Sequence, residues 1–222
     1  MTKTVIEHVL GRLQDLGIRH VFGVAGDFAF PVEDAVCESR TMQWMGNCNE
    51  LNAAYAADGY ARVNGMAALS TTFGVGELSA INGIAGSYAE NLPVFHLVGM
   101  PASGVQKRGR LVHHTLGDGN FSLFYELGQR LSCAHALMTP ENCVAETERL
   151  IAAALRERRP VYMASRLITP HSRFRCRNTL PHRHSRSVTK PRSLTRLPRS
   201  RANWRTARLP VSCRACWPHV PD

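Results

Sequence analysis

The carboxylate of Glu50 is the group best placed to do chemistry in this sequence. It lies near the start of an Ala-rich segment, residues 47–62, that follows a predicted strand and is expected to be helical. In a structural interpretation, Asn47 and Glu50 form a capping box, and a carboxylate in the first turn suits the helix dipole. In a functional interpretation, a carboxyl group held partly desolvated at the mouth of a sheet shares a proton with a ligand nitrogen. Spacing alone leaves both interpretations open.

A Gly-x-Gly turn, Gly74-Val75-Gly76, joins a predicted strand to a predicted helix. Glycines at such a turn allow a ligand to approach the backbone amides closely. Ser79 stands where a dinucleotide fingerprint has its third glycine, and no lysine follows as in a phosphate-binding loop. The turn therefore indicates a ligand, but neither of these two nucleotide motifs.

Two adjacent histidines, His113 and His114, lie in a predicted polar loop. Neighbouring side chains point in different directions, and no third ligand follows at zinc spacing, so we expect no metal at this pair. A histidine pair in a loop is commonly a solvated surface feature. The functional alternative is proton transfer near neutral pH.

Predicted strands alternate with predicted helices along the first 164 residues. The strands are expected at residues 20–24, 42–46, 67–73, 93–99, 131–137 and 160–164, and the helices at 5–16, 31–39, 47–64, 77–89, near 123 and at 141–156. Because the strands are apolar on both faces, we predict an α/β fold with a mainly parallel six-stranded sheet and helices on both faces. Ligands gather at the carboxyl ends of such strands, which here are the Gly26-Asp27 turn and residues 74–76.

The composition changes abruptly near residue 165. Residues 1–164 carry 13 Lys and Arg against 16 Asp and Glu, whereas residues 165–222 carry 13 Arg and one Lys against Asp222 alone. The net charge of +10 is therefore a property of the second part. The first part has no secretory signal and no apolar run long enough to span a bilayer, so we expect a cytoplasmic protein with reduced cysteines.

Together these motifs are far more specific than any one of them. Residues 3 to about 164 resemble the N-terminal, pyrimidine-binding domain of the thiamine-diphosphate-dependent 2-oxo acid decarboxylases. Within that family they are most similar to bacterial indolepyruvate and phenylpyruvate decarboxylases. The matching runs are residues 22–28, 49–62, 74–83, 89–94, 113–119 and 159–162. The resemblance ends where the composition changes.

The resemblance implies thiamine diphosphate as the cofactor and gives roles to matching residues. Glu50 matches the glutamate that hydrogen-bonds the aminopyrimidine ring and promotes the imino tautomer. Asp27, His113 and His114 match residues that orient the 2-oxo acid and handle protons. The turn at residues 74–76 matches the one that lies against the aminopyrimidine.

The resemblance also implies parts that lie outside this chain. The family holds Mg²⁺ and the diphosphate in a C-terminal domain, and we interpret Asp118 as a loop residue, so no metal ligand is expected here. Its members are homo-oligomers, dimers or tetramers, with active sites between subunits that act on small 2-oxo acids. We expect the parent enzyme to decarboxylate indolepyruvate or phenylpyruvate, and this chain alone to be inactive.

Three interpretations compete for residues 165–222. An Arg-rich arm would suit nucleic acid, making this a basic binding protein with a degenerate enzyme domain. Cys213, Cys216 and His219 offer a cramped zinc site. The third, which we favour, is translation out of frame: from the last base of the Arg166 codon, allowed codons give Leu-Asp-Tyr-Ala, the family's common continuation. A basic segment rich in Arg, Ser and Pro is expected to be disordered.

Overall fold

The computed structural model describes residues 2–166 and 174–175, in which strands and helices alternate. The strands are β1 (Thr2–Lys3), β2 (His20–Gly23), β3 (Gln43–Gly46), β4 (Ala67–Thr72), β5 (Val94–Met100), β6 (Ala134–Met138), β7 (Val161–Arg166) and β8 (Phe174–Arg175). The helices are α1 (Val5–Asp15), α2 (Phe30–Cys37), α3 (Glu50–Asn64), α4 (Val75–Ala89), α5 (Ser103–Lys107), α6 (Leu123–Arg130) and α7 (Cys143–Glu157).

One six-stranded sheet contains β2 to β7 in the order β3-β2-β4-β5-β7-β6, and every neighbouring pair is parallel. The predicted α/β fold is confirmed, with a sheet that is entirely parallel. β1 and β8 form a separate antiparallel pair. In the main sheet the chain leaves β2 towards β3 on one side and leaves β4 towards β5 on the other. The direction of winding therefore reverses between β2 and β4.

Helices cover both faces of the sheet, so its central strands are buried on both. Every residue of β4 and β5 is buried, as expected for parallel strands between two helical layers. Ala68 belongs to a cluster that includes Leu13 and Val36, under α1, α2 and α7, whereas Leu69 belongs to a cluster with Ala57, under α3 and α4. Burial of a side chain such as Leu13 stabilises the fold by about 2 kcal/mol.

The Ala-rich face of α3 allows this helix to approach α4 closely. Four alanines of α3 are buried at helical spacing: Ala53, Ala54, Ala57 and Ala61. A Cβ added at Gly83 of α4 would lie 2.5 Å from the Cβ of Ala54, so this crossing requires a glycine. Both helices begin at the carboxyl edge of the sheet. The close packing therefore holds the first turns of α3 and α4 next to each other.

Several elements differ from the prediction, among them the unpredicted pair β1 and β8 and strand β6, which begins at Ala134 rather than at residue 131. β7 ends two residues later than expected, because Ser165 and Arg166 pair with Gly99 and Met100 of β5. The sequence does not predict α5, whose five residues carry no apolar periodicity. Apart from the strand residues 165–166 and 174–175, the interpretations of the Arg-rich segment fall outside the described residues. Among the residues that are described, no helix is long and apolar enough to cross a membrane, and no disulfide forms.

Candidate functional site

Two turns meet at the carboxyl edge of the sheet, where β2 and β4 lie side by side. The Gly26-Asp27 turn follows β2, and the turn at residues 74–76 follows β4. A Cβ added at Gly26 would lie 2.5 Å from the Cβ of Thr72, the last residue of β4, so the two strand ends are in direct contact. Because the chain leaves these strands in opposite directions, their carboxyl ends form the position at which parallel sheets usually bind ligands.

Glu50 is the first residue of α3, and the predicted capping box between Asn47 and Glu50 is wrong. The N-cap is Asn49, whose side chain accepts a hydrogen bond from the backbone N–H of Asn52 at 2.9 Å. Asn47 instead donates its backbone N–H to the carbonyl of Gly23 at 3.0 Å, which extends the pairing of β3 with β2. The helix therefore starts at Glu50 and not at Asn47. The Glu50 carboxylate is then left without a hydrogen-bond partner within the described residues.

The turn at residues 74–76 contacts both Glu50 and the histidine loop. A Cβ added at Gly76 would lie 3.1 Å from Oε1 of Glu50. Gly74 adopts φ 68° and ψ −98°, a conformation that L side chains rarely adopt, and a Cβ there would overlap the carbonyl oxygen of His114. Val75 between them is half exposed. Glu50 and the histidine loop therefore lie against the same turn and form one site.

Asp27, His113 and His114 form a cluster at the same edge. Nε2 of His113 lies 2.6 Å from Oδ2 of Asp27, and Nδ1 of His114 lies 3.9 Å from Oδ1 of Asp27. Phe28 stacks on the His113 ring at 5.0 Å and meets the His114 ring edge-on at 5.9 Å. Oδ1 of Asp27 and Nδ1 of His114 are buried without a hydrogen-bond partner among the described residues. Such atoms are costly to leave unpaired, so they mark a place for a ligand.

The backbone of His114 is itself strained. Its φ of 60° lies in the left-handed region, which costs a non-glycine residue about 1 kcal/mol or more. Strain of this kind concentrates at functional sites, where the surrounding packing maintains it. Here the packing is the contact of the His114 carbonyl with Gly74.

Two buried carboxyl groups that the sequence analysis missed support the turns. Oε1 of Glu33 accepts the backbone N–H of Gly26 at 3.0 Å, and Oε1 of Glu77 accepts that of Gly74 at 2.9 Å. Glu77 also accepts the hydroxyl hydrogen of Tyr162 at 2.6 Å. Burial raises the pKa of Glu33 and of Glu77 to about 7 in each case. The one available signal was the spacing of Glu77, three residues after Gly74, which matches an N-terminal helix box.

The cluster of Asp27, His113 and His114 has the ligand types of a transition-metal site. Each residue offers one ligand atom, and these atoms lie within 4.8 Å of one another. Asp27 is a third candidate ligand, and no local sequence spacing reveals it. The absence of a metal at His113 and His114 stays a prediction. Asp118 lies in an exposed loop, where its side chain accepts the backbone N–H of Asn120 at 2.9 Å.

Comparison with known proteins gives one family and several long matches. Residues 3–120 match the family described as thiamine pyrophosphate enzyme, N-terminal TPP binding domain. The chain is 46% identical over 171 residues to an alpha-keto-acid decarboxylase of Mycobacterium avium, which is 77% of the chain and 30% of that protein. It is 47% identical over 160 residues to a thiamine metabolism regulatory protein of Saccharomyces cerevisiae, which is 72% of the chain and 26% of that protein.

The chain therefore spans less than a third of the length of these relatives. The matched region contains the Glu50, Asp27, His113 and His114 positions and the turn at residues 74–76. The resemblance drawn from the sequence is confirmed, and the chain belongs to the thiamine pyrophosphate enzyme family, of which it carries the N-terminal TPP-binding domain.

Proposed function

We propose that this chain supplies the pyrimidine-activating part of a non-oxidative 2-oxo acid decarboxylase. The substrates are aromatic 2-oxo acids, indolepyruvate or phenylpyruvate, and the products are an aldehyde and CO₂. The observation that carries the proposal is the Glu50 carboxylate, which faces Gly76 and has no hydrogen-bond partner in the described part of the chain. The Mycobacterium avium relative is named as an alpha-keto-acid decarboxylase, which supports the reaction class.

The residues at this edge fit the pyrimidine half of thiamine diphosphate. Glycine at position 76 leaves open the space beside Oε1 of Glu50 that a side chain would fill. Oγ1 of Thr72 and Nδ1 of His114 are buried without partners among the described residues, so polar atoms remain for a ligand. When bound, thiamine diphosphate would supply the electron sink that decarboxylation requires. Glu50 and the turn at residues 74–76 would hold its aminopyrimidine, with a proton shared at the Glu50 carboxylate.

Asp27, His113 and His114 move protons at the substrate. With Asp27 as the acceptor, His113 carries its hydrogen on Nε2 and keeps Nδ1 as an acceptor. His114 holds its Nδ1 towards the second oxygen of the same carboxylate. This arrangement orients a 2-oxo acid and delivers a proton to the product carbon. The stacked ring of Phe28 fixes the plane of His113.

In this proposal, the other parts of the active site lie outside these 222 residues. Mg²⁺ and the diphosphate are held by a C-terminal domain, and the active site is completed between subunits of a cytoplasmic homo-oligomer. Support comes from the coverage, because the chain spans 30% of the Mycobacterium avium relative. The chain alone is therefore inactive.

A chimera tests this function. Residues 1–166 are joined in frame to the remaining part of the Mycobacterium avium relative, and aldehyde release from phenylpyruvate is measured with thiamine diphosphate and Mg²⁺. We expect turnover by the chimera and none by the purified chain. An inactive but folded chimera, or aldehyde release by the chain alone, would contradict the proposal.

A second candidate function is regulatory. It is favoured by the Saccharomyces cerevisiae relative, a thiamine metabolism regulatory protein, and by the positive charge of residues 165–222. Such a protein would bind nucleic acid in a salt-dependent manner and lose binding when residues 165–222 are deleted. Preference for one DNA sequence is the deciding observation, because any Arg-rich segment binds DNA diffusely. Equal affinity for unrelated sequences would reject this function.

A further inference from the structure

A second cleft opens at the carboxyl ends of β5, β6 and β7, away from the β2 and β4 ends. Its volume is about 390 Å³, and its walls come from these strand ends, from α5, from residues 119–122 and from the first turn of α6. It shares no lining residue with the Glu50 and Asp27 site. Clefts of this size accommodate small organic ligands.

The charge of the cleft is positive. Lys107 and Arg166 both line it, and no carboxylate is found among its described lining residues. Neither cation forms an ion pair within residues 2–166. Nε of Arg166 is buried and has no hydrogen-bond partner among the described residues. A buried donor without an acceptor is costly, so the cleft contains a place for an anion.

A further donor and an apolar wall complete the cleft. The side-chain oxygen of Asn120 accepts the backbone N–H of Ser122 at 2.8 Å, which leaves the amide nitrogen of Asn120 available to donate. Tyr125 packs edge-on against Tyr162 at 5.6 Å, so its ring is a fixed surface. Met100 and Leu137 add apolar area. The cleft therefore suits a ligand with a polar, negatively charged end and an apolar end.

We propose that this cleft binds a small organic anion. Its oxyanion head, a carboxylate or a phosphate monoester, accepts hydrogen bonds from Arg166, with Lys107 adding positive charge. Its apolar or aromatic body lies against Tyr125, Met100 and Leu137. The guanidinium edge that includes Nε can donate two parallel hydrogen bonds to either head group.

The experiment uses the full 222-residue chain labelled with ¹⁵N and two probes, phenylacetate and phenyl phosphate. We expect saturable shifts of the Asn120 and Ser122 amides and of the Arg166 Nε–H signal. Arg166→Gln should weaken binding roughly tenfold or more, because a charge-assisted hydrogen bond is lost. Lys107→Gln, at an exposed position, should weaken it by a smaller factor. The probe that binds more tightly identifies the head group.

Arg156→Gln is the matched control. Arg156 is exposed on α7, is paired with Glu157, and precedes the start of β7, at the opposite end of that strand from Arg166. Equal weakening in Arg156→Gln would overturn the proposal, since diffuse attraction to an Arg-rich chain would then explain binding. Benzyl alcohol, which lacks the charge, should not saturate the same signals. Equal binding of benzyl alcohol, or shifts centred on His113 and His114, would also overturn it.

Discussion

The buried carboxyl group of Glu77 makes the stability of the domain depend on pH. Glu77 is 3% exposed, and burial raises its pKa from 4.5 to about 7 despite its two hydrogen bonds. Between pH 4.5 and 7 the folded chain keeps a proton that the unfolded chain has released, so the free energy of unfolding falls as the pH rises. At about 1.4 kcal/mol per pH unit, the loss reaches about 3 kcal/mol above pH 7.

Glu77→Gln removes the Glu77 contribution to this dependence while keeping the shape of the side chain, and the contribution of Glu33 is common to both proteins. The glutamine oxygen accepts the Gly74 N–H, and its amide donates to the Tyr162 oxygen, so both hydrogen bonds persist with one reversed. At pH 5, where the folded wild-type carboxyl is protonated, the two proteins should be about equally stable. At pH 8 the variant should be more stable by up to about 3 kcal/mol, because it has no charge to bury.

Urea denaturation followed by circular dichroism at pH 5, 6, 7 and 8 measures the difference. Glu38→Gln, at an exposed position, should match the wild-type pH dependence throughout. Parallel pH profiles for wild type and Glu77→Gln would refute the reasoning, because the Glu77 carboxyl would then titrate alike in folded and unfolded chains.

Three other predictions test the turns and the boundary. Tyr162→Phe removes a donor to ionised Glu77, so the free energy of unfolding should fall by roughly 1.5–3 kcal/mol at pH 8 and by less at pH 5, as urea titration would show. Gly74→Ala should lower the thermal midpoint through strain and overlap with His114, whereas Gly59→Ala, in open space on α3, should raise stability by about 0.5–1 kcal/mol. Nucleotide sequencing across codons 160–175 and beyond should show a neighbouring frame that continues into the family's C-terminal sequence; an early stop in that frame would favour a selected basic segment.

The fold could be predicted because its signals are local. β4 and β5 are short runs of small and apolar residues with few charges, and the alternation with amphipathic helices requires a parallel sheet covered on both faces. The start of α3 could not be predicted as reliably, because Asn47 and Asn49 are both good N-caps. Pairing of Asn47 with Gly23 decides between them, and that pairing is a property of the assembled sheet.

The site could be predicted residue by residue only through the family resemblance. Asp27 and His113 are 86 residues apart, so no local pattern indicates their 2.6 Å contact. Glutamate is usually a surface residue, so the sequence does not indicate that Glu33 and Glu77 are buried. Each is held inside by a hydrogen bond that its carboxylate accepts from a backbone N–H of a turn, and those turns exist only in the folded chain. The strain at His114 likewise arises from packing on Gly74, which only the folded chain contains.

The central claim is that the Glu50 carboxylate activates the cofactor. The most direct measurement is kcat/KM for phenylpyruvate in the chimera, compared among the unmodified protein, Glu50→Gln and the exposed control Glu38→Gln. Loss of a positioned acid–base group predicts a fall of roughly 10²- to 10⁴-fold for Glu50→Gln, with an unchanged thermal midpoint and an unchanged control. A Glu50→Gln chimera that keeps kcat/KM within about twofold of the unmodified protein, far short of that fall, would contradict the account.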